Sequence, residues 1–263
     1  MKSKIKQLAS KTLFQTHLYR WFLTNTAVVV AFHRVSNPAQ DGLTCDVEMF
    51  KRYCEFFARY FRVVSLSNLI DKLEEGVPLK RELVITFDDG YQDNYLNAAP
   101  ILNSMGLSAT FFIVTGSVGT DVIPWWDNKR SLHHPWMTWD QVVDLHRQGF
   151  QIGAHTRTHV NLGVISREKA WEEIHGSRMD LEEKLSAPID LFAYPYGRER
   201  EITEGNRDLV KRAGFRCCCS CFGGINQKGN NPFSLRRIPI GAYYQSPYNF
   251  AFDLAFDRTE MSY

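Results

Sequence analysis

At 263 residues, 44% of them hydrophobic and 23% charged, the chain is long enough to bury a large core in one domain and too apolar for large-scale disorder. A formal net charge of +2, with no basic cluster interleaved with aromatics, speaks against a nucleic-acid partner. The longest apolar run, 27–32, is far too short to span a membrane, and the lysines at 2, 4, 6 and 11 precede no signal-peptide pattern, so the expectation is a cytoplasmic protein.

In chain order, residues 5–22 predict a basic amphipathic helix carrying Ile5, Leu8, Phe14, Leu18, Trp21 and Phe22. Such a helix either packs on the main body or rests on a membrane surface. Apolar, β-branched runs predict strands at 28–32, 63–65, 83–87, 109–114, 151–154, 191–194, 216–221 and 237–240. Helical patterns lie between most of them. Val47, Phe50, Cys54 and Phe57 repeat at helical spacing, and Thr138 with Gln141 forms a capping box for a helix ended by Gly149. Ser166 caps a long charged helix that stops before Pro188, and a helix starting near Thr203 ends before Gly214. His17, His146 and His175 fall in these helices and read as surface residues. Repeated βα units predict a parallel sheet, and this many can close into a barrel whose chemistry sits at the C-terminal ends of the strands.

Six cysteines, Cys45, Cys54, Cys217, Cys218, Cys219 and Cys221, make a poor disulfide framework because four crowd into five positions. In the stretch 215–222 they suit a strand, where thiols act as small apolar side chains; a soft-metal site is the sharper alternative.

Two strand ends carry the chemistry. The run 83–87 leads into Asp88-Asp89-Gly90, and adjacent carboxylates stay ionised cheaply only where a cation or hydrogen-bond donors meet them. A helix cap with a turn glycine is the plainer reading of the same residues. The run 151–154 leads into His155-Thr156-Arg157-Thr158-His159, two imidazoles four residues apart that a helical turn would place on one face. Asp89, His155 and His159 together form a two-His-one-carboxylate set with positions left open for water and substrate. The Trp125-Trp126 loop, followed by His133-His134-Pro135-Trp136, offers flat rings on which a sugar face could stack, or a hydrophobic cover for the barrel.

With these residues in place, the sequence resembles the polysaccharide deacetylase family, carbohydrate esterase family 4 with the NodB-homology domain, over roughly 27–240. The resemblance implies an irregular (β/α)7-type barrel, with 1–26 as the N-terminal helix and 27–263 as the catalytic domain. It implies that Asp88 of Thr-Phe-Asp-Asp-Gly is the general base and that Asp89, His155 and His159 bind a divalent metal, foremost Zn2+. The family's Arg-x-Pro-Tyr/Phe motif aligns with Ala193-Tyr194-Pro195-Tyr196-Gly197, so the arginine that steadies the base is absent from it. The form Phe-Ala-Tyr-Pro-Tyr-Gly resembles one branch of the family, with Pro195 at the substrate and the Tyr196 N–H as oxyanion donor. The late Leu-x-His motif is missing too, and Ala31-Phe32-His33-Arg34-Val35 resembles a branch motif whose histidine takes over as general acid, here His33. Trp125, Trp126 and Trp136 complete the expected substrate groove. The implied activity is removal of N-acetyl groups from amino sugars in a glycan. Deacylation or deformylation of a lipid-linked amino sugar at the inner membrane face, and a sugar-binding pseudoenzyme, are the alternatives.

Overall fold

In a computed structural model, which describes residues 2–221 and 223–256, helices α1 (Lys2–Gln15) and α2 (Tyr19–Phe22) precede the first strand, β1 (Thr26–Phe32). Phe222 and positions 257–263, the end of the expected catalytic domain, lie outside the described residues. The short strands β2 (Arg34–Val35) and β3 (Thr44–Cys45) pair in parallel, and Asp46 then caps α3 (Val47–Tyr60) by accepting from the N–H groups of Glu48 and Met49 at 3.0 and 3.2 Å. β4 (Arg62–Val63) and α4 (Leu66–Glu74) lead to β5 (Glu82–Phe87), and a π-helical turn at Asn94–Ala98 runs into α5 (Ala99–Ser104). Next come β6 (Thr110–Ile113), α6 (Trp125–Asn128), α7 (Trp139–Arg147) with its Thr138–Gln141 capping box, and β7 (Gln151–Ala154). The Ser166-capped α8 (Arg167–Leu185) and the Thr203-capped α9 (Glu204–Arg212) follow, then β8 (Asn226–Gln227), β9 (Ile238–Pro239) and α10 (Pro247–Phe256).

β1 and β5 are buried on both faces along their whole length and pair in parallel from Ala27–Glu82 to Phe32–Phe87. Parallel pairing continues through β6 to β7, while β9 lies parallel to β1 on its other side. Beyond β7 the ladder thins to single bridges, Ala154–Phe192, Ala193–Cys219 and Cys219–Leu235. The result is a barrel-like α/β unit with an irregular arc in place of the regular strands expected at 191–194 and 216–221. The N–H groups of Cys218, Cys219 and Ser220 reach alternately to Pro232, Phe192 and Leu235, so the segment is extended. Its neighbours bring Pro195 and Pro232, which have no N–H to return, and the ladder cannot propagate.

Side chains alternate between two cores. Ala27, Val29, Val84, Phe112, Ala193, Cys217 and Cys219 fill the barrel interior, whereas Val28, Val30, Ile85, Phe111, Phe192 and Cys218 face the surrounding helices. The thiols are unpaired and serve as small apolar residues there. Leu66, Leu69, Ile70 and Leu73 of α4 join the interior cluster. Gln151 Oε1, at the start of β7, accepts from the Leu66 N–H at 2.9 Å, and Arg216 pairs with Asp71 and Glu74 at 2.7 and 2.6 Å. α4 therefore closes the end of the barrel where the strands begin, and the opposite end is left for the site.

The helix expected over 5–22 breaks at His17, whose φ of 62° is left-handed, so His17 sits in a turn. The break lets Phe14 stack on Tyr19 at 4.4 Å while both stay buried. Lys6 pairs with Asp253 of α10 at 2.8 Å, so the segment packs on the body through one face. No helix among the described residues is long and apolar enough to cross a membrane.

Candidate active site

The site is built where strands stop. After β5 the ladder runs one residue further, with the Asp88 N–H donating to the Phe32 carbonyl at 2.9 Å; Asp89 and Gly90 then turn the chain with φ of 77° and 92°. Neighbours in a continuing strand would point to opposite faces. The left-handed turn instead brings both carboxylates, each 2% exposed, to one mouth.

After β7, His155 places Nδ1 2.8 Å from the Ala193 carbonyl oxygen. A carbonyl only accepts, so Nδ1 carries the proton and the Nε2 lone pair faces Asp89 Oδ1, 3.6 Å away. The helical turn expected at 155–159 is not formed. Thr156 and His159 take φ of 63° and 54°, and this curl brings the two imidazole rings to 5.1 Å and His159 Nε2 to 3.3 Å from Asp89 Oδ1.

A buried acid that sequence reasoning passed over as part of a charged helix holds the curl. Glu173 of α8, 2% exposed, accepts from the Arg157 and Thr158 N–H groups at 3.0 and 2.9 Å and from the Thr158 hydroxyl at 2.8 Å. Glu173→Ala is expected to weaken divalent-metal affinity by about 10–100-fold, measured by competition with a chelating dye, because three donors lose their acceptor beside His159.

The trio fits a divalent cation. One oxygen and two nitrogens lie within 4.8 Å of one another, and both Asp89 Oδ1 and His159 Nδ1 are buried without a hydrogen-bond partner. Burial pushes His155 down from 6.5 to about 4, even though Asp88 and Asp89 pull the other way. The ring is thus neutral near pH 7 and ready to ligate. Between 6.5 and about 4 the unfolded chain binds the proton that folded His155 refuses, so stability rises with pH across that window and is lost on acidification. Melting of metal-free protein should follow this slope, and His155→Gln should flatten it.

Asp88 has a partner that the sequence motifs did not reveal. Arg237, fully buried just before β9, donates from Nη1 and Nη2 to Asp88 Oδ1 and Oδ2 at 2.7 Å each. Its remaining donors reach the Thr86 hydroxyl at 3.0 Å and the Ser220 carbonyl at 2.7 Å. Position 193 is Ala, and the guanidinium that meets Asp88 comes from position 237 instead. Burial opposes ionisation of Asp88, but Arg237, with His155 and His33 nearby, holds its carboxyl below the usual range.

A cavity of about 820 Å³ opens over these groups, lined among others by His33, Asp88, Asp89, Trp125, Trp126, His155, His159, Tyr196 and Cys221. His33 follows β1 and is half-buried, its carbonyl held by Asn94 Nδ2 at 2.9 Å from the π-helical turn. Tyr196 has φ of 60° and sets its ring 5.0 Å from that of His159. Among the described residues, no acceptor engages its N–H.

Trp126 stands 4.7 Å from the His159 ring and donates Nε1 to the Tyr91 hydroxyl at 3.0 Å. Behind it, buried Asp127 pairs with buried Arg34 at 2.8 Å, and Asp41 holds Arg34 from the other side. This pair ties the tryptophan wall to the residue beside His33. Trp136 and Pro195 are not part of the wall. An antiparallel bridge to Tyr91 draws Trp136 beneath it, where the two rings stack at 4.6 Å and the indole donates to the Val122 carbonyl at 2.7 Å; Pro195 is buried.

The family model described as polysaccharide deacetylase matches residues 75–218, more than half of the chain. A putative polysaccharide deacetylase, YxkH, of Bacillus subtilis (strain 168) is 25% identical over 182 residues, 66% of this chain and 60% of the relative. A poly-beta-1,6-N-acetyl-D-glucosamine N-deacetylase of Staphylococcus aureus (strain MRSA252) is 24% identical over 188 residues, 68% of this chain and 61% of the relative. The chain thus spans about 60% of the length of these relatives. Among solved structures, the Streptococcus pyogenes deacetylase PplD in complex with acetate aligns with a TM-score of 0.70 at 23% identity, covering 86% of this chain and 96% of its own. IcaB from Ammonifex degensii aligns with a TM-score of 0.73 at 20% identity, covering 87% and 97%. These structures share the fold, and the family match, which includes the segments that carry Asp88, Asp89, His155 and His159, shows that the chain belongs to the polysaccharide deacetylase family.

Proposed function

We propose that this protein hydrolyses the N-acetyl amide of an amino sugar within a glycan. The observation that carries the reading is a buried, arginine-clamped carboxylate, Asp88, beside the Asp89–His155–His159 trio at the mouth of an aromatic-walled cavity. The relatives named as deacetylases support it.

A divalent cation held by Asp89, His155 and His159, zinc being the first choice, would supply Lewis acidity and lower the pKa of a bound water toward about 7. Asp88, kept ionised by Arg237, takes the proton of the attacking water. The Tyr196 N–H donates to the oxygen on which negative charge develops. His33 delivers a proton to the departing sugar nitrogen, without which the amine is a poor leaving group. Trp125, Trp126 and the Tyr196 ring present flat faces to the sugar.

Six unpaired thiols support a reducing compartment such as the cytoplasm. A lipid-linked amino sugar is the second substrate class. Acetate release by the zinc-loaded protein, compared between soluble N-acetylglucosamine oligomers and a lipid-linked N-acetylated sugar, separates the two. Binding of oligomers without acetate release over long incubation would leave a sugar-binding protein instead.

A further inference from the structure

The site leaves the N-terminal end of the molecule unexplained. No Asp or Glu occurs before Asp41, while lysines stand at 2, 4, 6 and 11 and an arginine at 20. Ile5, Leu8, Leu18 and Trp21 are 61%, 67%, 52% and 85% exposed. On α1, Lys4, Ile5, Leu8 and Lys11 fall on one arc, opposite the buried Ser10, Leu13 and Phe14. The surface continues from Trp21 to Phe22, whose ring lies 5.5 Å from that of Phe256, itself half exposed and 4.9 Å from Phe252. Among the described residues of α10, Asp253 is taken up by Lys6 at 2.8 Å. Single exposed apolar residues are ordinary, but a cluster of them laced with lysines, on an N-terminal segment whose first acid is Asp41, has the composition of an interfacial anchor.

We propose that this end of the molecule docks on an anionic lipid bilayer, with Leu18, Trp21 and the α1 apolar arc entering the headgroup boundary and Lys4, Lys11 and Arg20 meeting lipid phosphates. The occupant is chosen by charge complementarity, since a neutral apolar partner would gain nothing from this excess of cations.

The fold fixes the orientation. Phe22 ends α2 just before β1 starts at Thr26, and the neighbouring Tyr19 packs on Tyr60, two residues before β4, and on Arg81, which directly precedes β5. His33 and the cavity lie past the other end of β1, and seven residues at about 3.3 Å each separate the two ends by roughly 20 Å. A docked molecule holds its mouth away from the lipid. Resting on the proposed activity, this favours a glycan that reaches the site from the aqueous side over a sugar whose tail sits in the same bilayer.

Flotation of the full chain with vesicles tests the docking without requiring turnover, so its failure is distinct from failure of the proposed activity. Vesicles of phosphatidylcholine and phosphatidylglycerol should carry the protein upward, and pure phosphatidylcholine vesicles should not. The Lys4→Glu/Lys11→Glu variant should lower the partition coefficient about tenfold or more, and Trp21→Ser by a similar factor, with melting temperature unchanged. Brominated acyl chains should quench a fluorescence component that Trp21→Phe removes. Failure to float with anionic vesicles, or flotation indifferent to both variants, overturns the proposal. So does lipid-free self-association that Trp21→Ser abolishes in a protein that ignores vesicles, because the occupant is then a second copy of this chain.

Discussion

Asp88→Asn is expected to lower acetate release by about 10²–10⁴-fold while metal content stays at the wild-type level. Asparagine keeps the shape of the side chain and one oxygen for Arg237, but it cannot take a proton from water. Asp89, His155 and His159 are untouched, so elemental analysis and turnover should part company. Loss of metal together with activity would place position 88 among the ligands and remove the base from the proposed mechanism.

Arg237→Met is expected to cost about 3–5 kcal/mol of stability and most of the activity at neutral pH, because it strands a buried carboxylate. Denaturant titration measures the first and the pH profile the second. Burial alone raises the Asp88 pKa and Arg237 reverses that, so removing the arginine lifts it above the ordinary value. The base is then ionised only at higher pH, and the acidic limb of the activity profile should move upward in the variant. The stability that the pair contributes to the wild type is present above the ordinary carboxylate pKa and is lost as pH falls through the depressed folded value. A profile that keeps its shape in Arg237→Met would show that the arginine only fills space.

The Thr-Phe-Asp-Asp-Gly and His-Thr-Arg-Thr-His segments were legible because local pattern suffices there: an apolar run fixes a strand, and the residues directly after it inherit its C-terminal end. The caps at Thr138 and Ser166 were legible for the same reason, since each acts within three residues of itself. Arg237 was not, because its partner lies 149 positions away and no local rule assigns an arginine to the interior of a barrel. The signal was present all the same: a charged residue heading the apolar run 237–240 needs a buried counter-ion. Glu173 was masked by its acidic neighbours in α8, and only its burial sets it apart from them. The curl at 155–159 escaped because spacing of four suits a helical turn and a loop alike; positive φ at Thr156 and His159 decided it. The irregular arc was missed because bridge partners such as Phe192, Cys219 and Leu235 are far apart in sequence, and Pro232, which interrupts their pairing, lies outside the apolar runs that mark the strands.

Cys221 lines the cavity, and burial pushes its thiol up to about 12. Its sulfur lies outside the cluster in which donor atoms of Asp89, His155 and His159 come within 4.8 Å of one another. The donor set offered to an incoming ion is therefore oxygen and nitrogen alone. Such a set discriminates weakly between borderline ions, so occupancy would follow cellular supply of zinc, cobalt or nickel more than ligand softness.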